Sequence, residues 1–321
     1  MEILLLKPYM KKALWAGTRL LDEYGYEFNE DRAAEAWVLS AHEEGQSVVA
    51  NGKYEGKLLN EVIEAEGKGI LGTNAADKNG FPILIKFIDA GDKLSIQVHP
   101  DDEYASNYKG ENGKTEAWYI IDTAPGAELI YGPAENMTPD EFAQAIKDKT
   151  LPEKLRHIEV HSGDVVFIPS KMIHAIGKGV LLAEVQQSSN TTYRIYDYDR
   201  LEPDGTLRPL HVKKASEVSD LTVRDIDFSP AGKTERIEDA DVTYLTGCQY
   251  FKMTSLKING KYSSFADETG FVSLVVIDGE GTVSCPGEKW EIRKGSSVFI
   301  PAGKGKFEIE GKALNILESR I

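Results

Sequence analysis

Two stretches of this chain align without a gap. Gly163-Asp-Val-Val-Phe-Ile-Pro-Ser-Lys-Met-Ile-His174 and Gly295-Ser-Ser-Val-Phe-Ile-Pro-Ala-Gly-Lys-Gly-Lys306 share Gly, Val, Phe, Ile and Pro at matching positions. Each reads as a turn glycine, a short apolar strand stopped by proline, and a tight loop. A pattern that recurs in this way requires the same β unit to be made twice, and it excludes folds built on one long helical array. The copies differ at their ends: the first closes on His174, the second on Lys306, and a protonated lysine cannot ligate a cation. The second unit therefore serves packing or association, which allows a homo-oligomer.

An earlier stretch answers the first copy. In Gly91-Asp-Lys-Leu-Ser-Ile-Gln-Val-His99, Leu94, Ile96 and Val98 alternate with Ser95, Gln97 and His99. On a strand, that period buries one face and sets Gln97 and His99 together on the other. The two stretches together resemble the paired motifs of the cupins. Gly91 precedes Gln97-Val98-His99 with five residues between, and Gly163, Pro169 and His174 keep the second spacing, with Lys171 where a glycine is usual. Gln97 replaces a histidine, and the expected glutamate shortly after His99 is missing. Glu103 lies in a polar run that reads as a solvent-facing helical turn. Glu116 opens the apolar run Ala117-Trp-Tyr-Ile-Ile121 and is the better candidate. Gln97, His99, Glu116 and His174 would form an N/O ligand set suited to Zn²⁺ or another first-row divalent ion in an open, catalytic site. His42, His157, His161 and His211 read as ordinary polar residues.

At 321 residues, two cores are expected, divided here as residues 1–225 and 226–321 by the polar, acidic stretch around 215–240. The class is mainly β: two cupin-like β-barrel or sandwich (jelly-roll) units with a few short helices. The apolar run Ile3–Leu6 ends at Lys7-Pro8, and no run approaches a membrane span, so a cytoplasmic location with no membrane partner is the default. The formal charge of −15, with no basic run, argues against a nucleic-acid partner but leaves room for a small anion where a few cations converge. Cys248 and Cys285 offer neither a thiolate metal site nor a disulfide framework.

Several local signals place the remaining elements. Ala36–His42 and Val180–Gln187 read as strands, Leu58-Leu59 with Val62-Ile63 as a short helix ending before Gly67, and Thr138-Pro-Asp-Glu141 as a capping box opening another. Lys86, inside the apolar strand Pro82–Asp89, is either an edge device or a buried cation. Ser188–Arg200 is polar, aromatic and poor core material, and looks like the rim or floor of a pocket with Arg194 as its best-placed cation.

Ser95-Ile-Gln-Val-His-Pro-Asp101, Lys114-Thr-Glu-Ala-Trp118, Thr192-Tyr-Arg-Ile-Tyr-Asp197 and Ala34-Glu-Ala-Trp37 together resemble the type I mannose-6-phosphate isomerases of the short bacterial form, over roughly residues 1–215. Beyond that only the cupin outline is legible. The resemblance implies one Zn²⁺ per chain on Gln97, His99, Glu116 and His174, with Arg194 as the active-site arginine and Lys86 and Lys114 near the substrate. It implies a small phosphosugar as substrate. The His-Lys-Pro-Glu string of longer members is here Gly113-Lys-Thr-Glu116, so the role of that histidine is absent. Aldose–ketose interconversion through a cis-enediol needs a Lewis acid, a base and cations for the phosphate. Lys114, Asp197 or a hydroxide on the metal could be the base. A non-catalytic sugar-binding or storage cupin is the competing reading; an iron oxygenase is disfavoured by the Gln/Glu-containing ligand set.

Overall fold

The computed structural model describes residues 1–78, 80–108 and 112–321. Its first unit is a sandwich of two antiparallel sheets. Six strands run in the order Val165–Ile168, Glu116–Thr123, Val180–Gln187, Ile83–Asp89, Glu35–Leu39, Tyr9–Lys11. Five run Leu155–Glu159, Glu128–Pro133, His174–Ile176, Ile96–Val98, Tyr193–Tyr196. Ile88, Trp118, Ile120 and Leu182 from the first sheet meet Leu129 and Ile176 from the second in one buried cluster, so the sheets face each other. A third, nine-stranded sheet forms the second unit, with its own apolar filling that includes Leu256, Ile258, Val283, Phe307 and Ile316.

Apolar residues occupy both sides of the six-stranded sheet, which explains why Ile83–Asp89 and Val180–Gln187 are buried along their whole length. Residues of one parity face the other sheet. Those of the opposite parity, among them Val38, Ile85, Phe87 and Val185, pack into a cluster with Phe251, Met253, Phe271 and Phe299 of the second unit. The chain's first strand, Leu4–Lys7, pairs with Ser297–Ile300, so the second unit's sheet draws on both ends of the sequence. Lys86 lies on an interior strand, which removes the edge-device reading and leaves a buried cation.

Short elements follow their local signals. The helix Leu59–Glu66 stops at Gly67, whose φ of 82° is easy only without a Cβ. Thr138 and Glu141 form the expected capping box on Pro139–Lys147: Glu141 N–H donates to Thr138 Oγ1 at 3.3 Å and Thr138 N–H to Glu141 Oε2 at 2.7 Å. Ser188–Arg200 departs from expectation. It contains the strand Tyr193–Tyr196, and Tyr193 and Ile195 are buried against the helix Val212–Val218, so this segment supplies core as well as rim. Of the described helices, none is long and apolar enough to cross a membrane.

The repeated motif keeps its backbone although one glycine is lost: Lys171 and Gly303 both adopt φ 73°. Lys171 is held there by its ion pair to Asp101 at 2.5 Å and by donating its N–H to His99 O at 2.7 Å. At the end of the second copy, Lys306 points to solvent beside Glu308.

Phe299 is fully buried in the core shared by the units, with its ring 5.0 Å from that of Phe271. Phe299→Ala is expected to lower unfolding free energy by about 3–5 kcal/mol. Urea unfolding followed by fluorescence and by circular dichroism should still give one coincident transition; two separated transitions would show that the units do not depend on this core.

Candidate active site

Three adjacent strands of the five-stranded sheet set one row of side chains. His174 lies opposite Gln97, and Gln97 lies opposite Arg194, so all three project from the same face toward the interior. On the facing sheet, Lys86 lies opposite Glu184, and one step along, Glu116 lies opposite Gln186. His99 follows its strand by one residue. The sandwich therefore brings groups from distant parts of the chain to one place.

His99, Glu116 and His174 offer ligand atoms within 4.8 Å of one another, and all three are buried. His174 Nε2 is 3.3 Å from Glu116 Oε1, and His99 Nε2 is 3.5 Å from Glu116 Oε2. The other ring nitrogens are taken by backbone carbonyls: His99 Nδ1 by Thr191 O at 2.8 Å and His174 Nδ1 by Met172 O at 2.9 Å. Those contacts make Nδ1 the protonated nitrogen and turn the Nε2 lone pairs toward Glu116. Burial lowers both histidine pKa values, that of His174 to about 4, which keeps the rings neutral and able to ligate.

Neither Glu116 oxygen accepts a well-directed hydrogen bond, although the Lys114 ammonium sits 2.7 Å from Oε2. Burial, and then Glu184, push the Glu116 pKa up to about 7 against the pull of Lys114 and Lys86. Gln97 Nε2 lies 3.4 Å from His174 Nε2, and a half-turn of the amide would put its oxygen in the same place. Two imidazole nitrogens, one carboxylate and one carboxamide oxygen fit a divalent ion such as Zn²⁺. Glu103 stands apart on the exposed side of the helix Asp102–Ala105.

A cleft of about 730 Å³ borders this cluster at Gln97 and Lys114 and is lined further by Lys86, Glu184, Arg194 and Arg208. Lys86 does not stand free: its Nζ is 3.2 Å from Glu35 Oε2 and 3.1 Å from Glu184 Oε1. Burial alone would drive its proton off, but Glu184 and Glu35 outweigh that and raise its pKa. For Glu35, burial is opposed by Lys86 and Lys11, which hold the carboxyl down at about 2. Lys114 Nζ lies 3.5 Å from Glu184 Oε1, which completes an alternating row of charges, Glu35, Lys86, Glu184, Lys114 and Glu116. Sequence reading missed Glu35 as a charge partner, and it missed Glu184 and Arg208 altogether. The only signal for Glu184 was a carboxylate inside an apolar strand.

Arg194 is partly buried, donates through one Nη to Pro209 O at 2.9 Å, and leaves its Nε without a partner. Burial and the neighbouring Arg208 lower its pKa. Asp197 does not suit the role of base. Its carboxylate is clamped by Arg200 and Arg208 at 2.5 Å, and although burial works against it, those arginines hold its pKa below the usual range. His157 lies away from the cleft, 2.7 Å from Glu128.

Two family models match the chain. Residues 3–153 match "Phosphomannose isomerase type I, catalytic domain" and residues 240–319 match "Mannose-6-phosphate isomerase, cupin domain". The chain is 42% identical over 313 residues to the mannose-6-phosphate isomerase ManA of Bacillus subtilis, covering 97% of each. It is 37% identical to the mannose-6-phosphate isomerase of Streptococcus mutans, over 97% of this chain and 96% of that one. A crystal structure of the mannose 6-phosphate isomerase from Bacillus subtilis superposes with a TM-score of 0.91 at 36% identity, over the full length of both. The likeness therefore extends well past residue 215, where motif reading had left only an outline. This chain belongs to the type I mannose-6-phosphate isomerase family.

Proposed function

We propose that the protein interconverts mannose 6-phosphate and fructose 6-phosphate, a zinc-dependent aldose–ketose isomerisation that moves a proton between C1 and C2 through a cis-enediol. The observation that carries the reading is the convergence of His99 Nε2, Glu116 and His174 Nε2 beside a cation-lined cleft, in a chain so similar to named isomerases. The alternative of a non-catalytic sugar-binding cupin gives no reason for this convergence. One zinc per chain would be held by His99, Glu116 and His174, with Gln97 as the fourth protein ligand. When bound there, zinc polarises the sugar oxygens at C1 and C2.

The chain's own groups bind the sugar and orient its oxygens. The Arg194 guanidinium, with its uncommitted Nε, meets negative charge on the substrate and on the enediolate oxygen. Lys114 Nζ, held between Glu116 and Glu184, is the group placed to exchange a proton with the reacting oxygens. Lys86 is tethered by two carboxylates, so it donates to the sugar from a fixed position rather than capturing phosphate as a free cation. Gln97 occupies the level between His174 and Arg194 and joins the metal end of the cleft to its anion-binding end.

Several wider assignments belong to the same reading. Phosphosugars carry charge and do not cross bilayers unaided, so an enzyme acting on them works where they are made, in the cytoplasm. Residues 1–225 form the metal-binding unit and 226–321 the unit without ligands, with the first strand swapped across that boundary. Association into a homo-oligomer would use faces outside the cleft.

Removal of metal should be decisive. Dialysis against EDTA is expected to abolish turnover of mannose 6-phosphate in a coupled assay, and stoichiometric zinc should restore it; an apoprotein of undiminished activity would refute the reading. His174→Ala should leave less than about one per cent of kcat/KM and no tightly bound zinc by elemental analysis. Arg194→Ala is expected to lower kcat/KM by about 100- to 1,000-fold, or roughly 2.7–4 kcal/mol, with zinc content unchanged. Unaltered steady-state kinetics for that variant would remove Arg194 from the site.

A further inference from the structure

The second unit has no ligand cluster among its described residues, yet one of its side chains reaches the segment that presents Lys114 and Glu116. Tyr250 lies in the turn between Ala240–Gly247 and Lys252–Ala266, next to Phe251, which is buried in the core shared by the units. Its hydroxyl donates to Asp102 Oδ2 at 2.7 Å. Asp102 stands three residues after His99, and its Oδ1 accepts from Gly113 N–H at 3.1 Å. Gln187 Nε2 donates to the same carboxylate, 3.0 Å from Oδ1 and 3.3 Å from Oδ2. Gln187 Oε1 in turn accepts from Thr115 N–H at 2.9 Å. The backbone on each side of Lys114 thus hangs from Asp102 and Gln187, while Lys114 N–H donates to Pro100 O at 2.9 Å.

A second observation points the same way. A Cβ at Gly113 would overlap the backbone nitrogen and the carboxylate of Asp102. Gly113 has no positive φ, so it is close approach rather than conformation that requires glycine here. The segment entering Glu116 is pressed directly against Asp102. Asp101, the adjacent residue, pairs with Lys171, which stands three residues before His174. Pro100–Asp102 therefore touches the approaches to both Glu116 and His174, and the second unit holds it from outside.

We propose that Tyr250 is a positioning residue: through Asp102, and from there through Gly113, Gln187 and Thr115, it sets where Lys114 and Glu116 stand relative to the two histidines. This rests on reading His99, Glu116 and His174 as metal ligands with Lys114 beside them. It gives the metal-free unit a part in the chemistry that packing alone would not. Hydrogen bonds to a carboxylate are charge-assisted, and three different donors on Asp102 limit its freedom to move.

The test is a double-mutant cycle on the zinc-loaded, full-length protein with Tyr250→Phe, Asp102→Ala and their combination. The primary reading is the rate of zinc loss to excess EDTA; kcat, KM and the thermal midpoint are measured alongside. Tyr250→Phe removes only a hydroxyl and should speed zinc loss and lower kcat by about three- to tenfold, with KM for mannose 6-phosphate and thermal midpoint unmoved. In the Asp102→Ala background, Tyr250→Phe should change neither. If Asp102→Ala does not fold, Asp102→Asn replaces it in the cycle. A wild-type zinc-loss rate in Tyr250→Phe, effects of the two substitutions that multiply, or zinc loss that merely follows a lowered midpoint would each overturn the proposal. A wild-type chain that binds zinc but does not turn over mannose 6-phosphate would refute the proposed function and leave the zinc-loss series to decide the role of Tyr250. A wild-type chain that holds no zinc would end both.

Discussion

Five ionisable side chains share the interior of one sandwich, and they can do so only because their charges alternate. Glu35, Lys86, Glu184, Lys114 and Glu116 are all buried, and each meets an opposite charge within 3.5 Å. An unpaired buried charge is far more costly than a paired one, so removing a single member would leave its neighbours uncompensated. With all three carboxylates ionised and both lysines charged the row would carry −1, and neutral imidazoles add nothing. A divalent ion would make the row net positive, and Arg194 and Arg208 add to that in a cleft suited to an anionic sugar. The row is therefore a framework for a cation as much as a set of pairs.

Holding such a row at fixed spacing requires a rigid sheet, and the rigidity comes from the other side. The six-stranded sheet turns the side that carries the charged row inward, among apolar neighbours such as Trp118 and Ile120, and seals its other side against Phe251, Met253, Phe271 and Phe299 of the second unit. The two units are thus one packed object. The second unit has filled its own interior with aliphatic and aromatic side chains, and Lys306 faces solvent at the end of its copied motif. The shared φ of Lys171 and Gly303 shows that the loop geometry is set by its surroundings, strongly enough to hold a lysine in a left-handed conformation.

The polar end of the sandwich has a different logic. His174, Gln97 and Arg194 occupy one level on three neighbouring strands, so the proposed metal end and the proposed anion end would stand at consecutive positions across a sheet. Motif spacing names these three residues as candidates but not their common level, because that register joins segments far apart in the chain. The same holds for Asp197, which by sequence stood as near the site as Arg194 but is spent on Arg200 and Arg208.

What could be read from the residues alone was local and periodic. The alternation around Gln97 and His99, the repeated Gly-to-Pro motif, the glutamate at the head of an apolar strand and the capping box of Pro139–Lys147 are short-range patterns, governed by dihedral preference and by the two-residue repeat of a strand. These sufficed for a mainly β chain of two related units and for a short list of candidate ligands. Which carboxylates partner Lys86 and Lys114, that Lys86 stands in the middle of a sheet, that the first strand crosses to the far unit, and that Tyr250 reaches Asp102 were decided only by the tertiary structure. The reason is physical: burial and charge pairing depend on distances between segments remote in sequence, and nothing in the order of residues along one strand specifies which strand will lie opposite it.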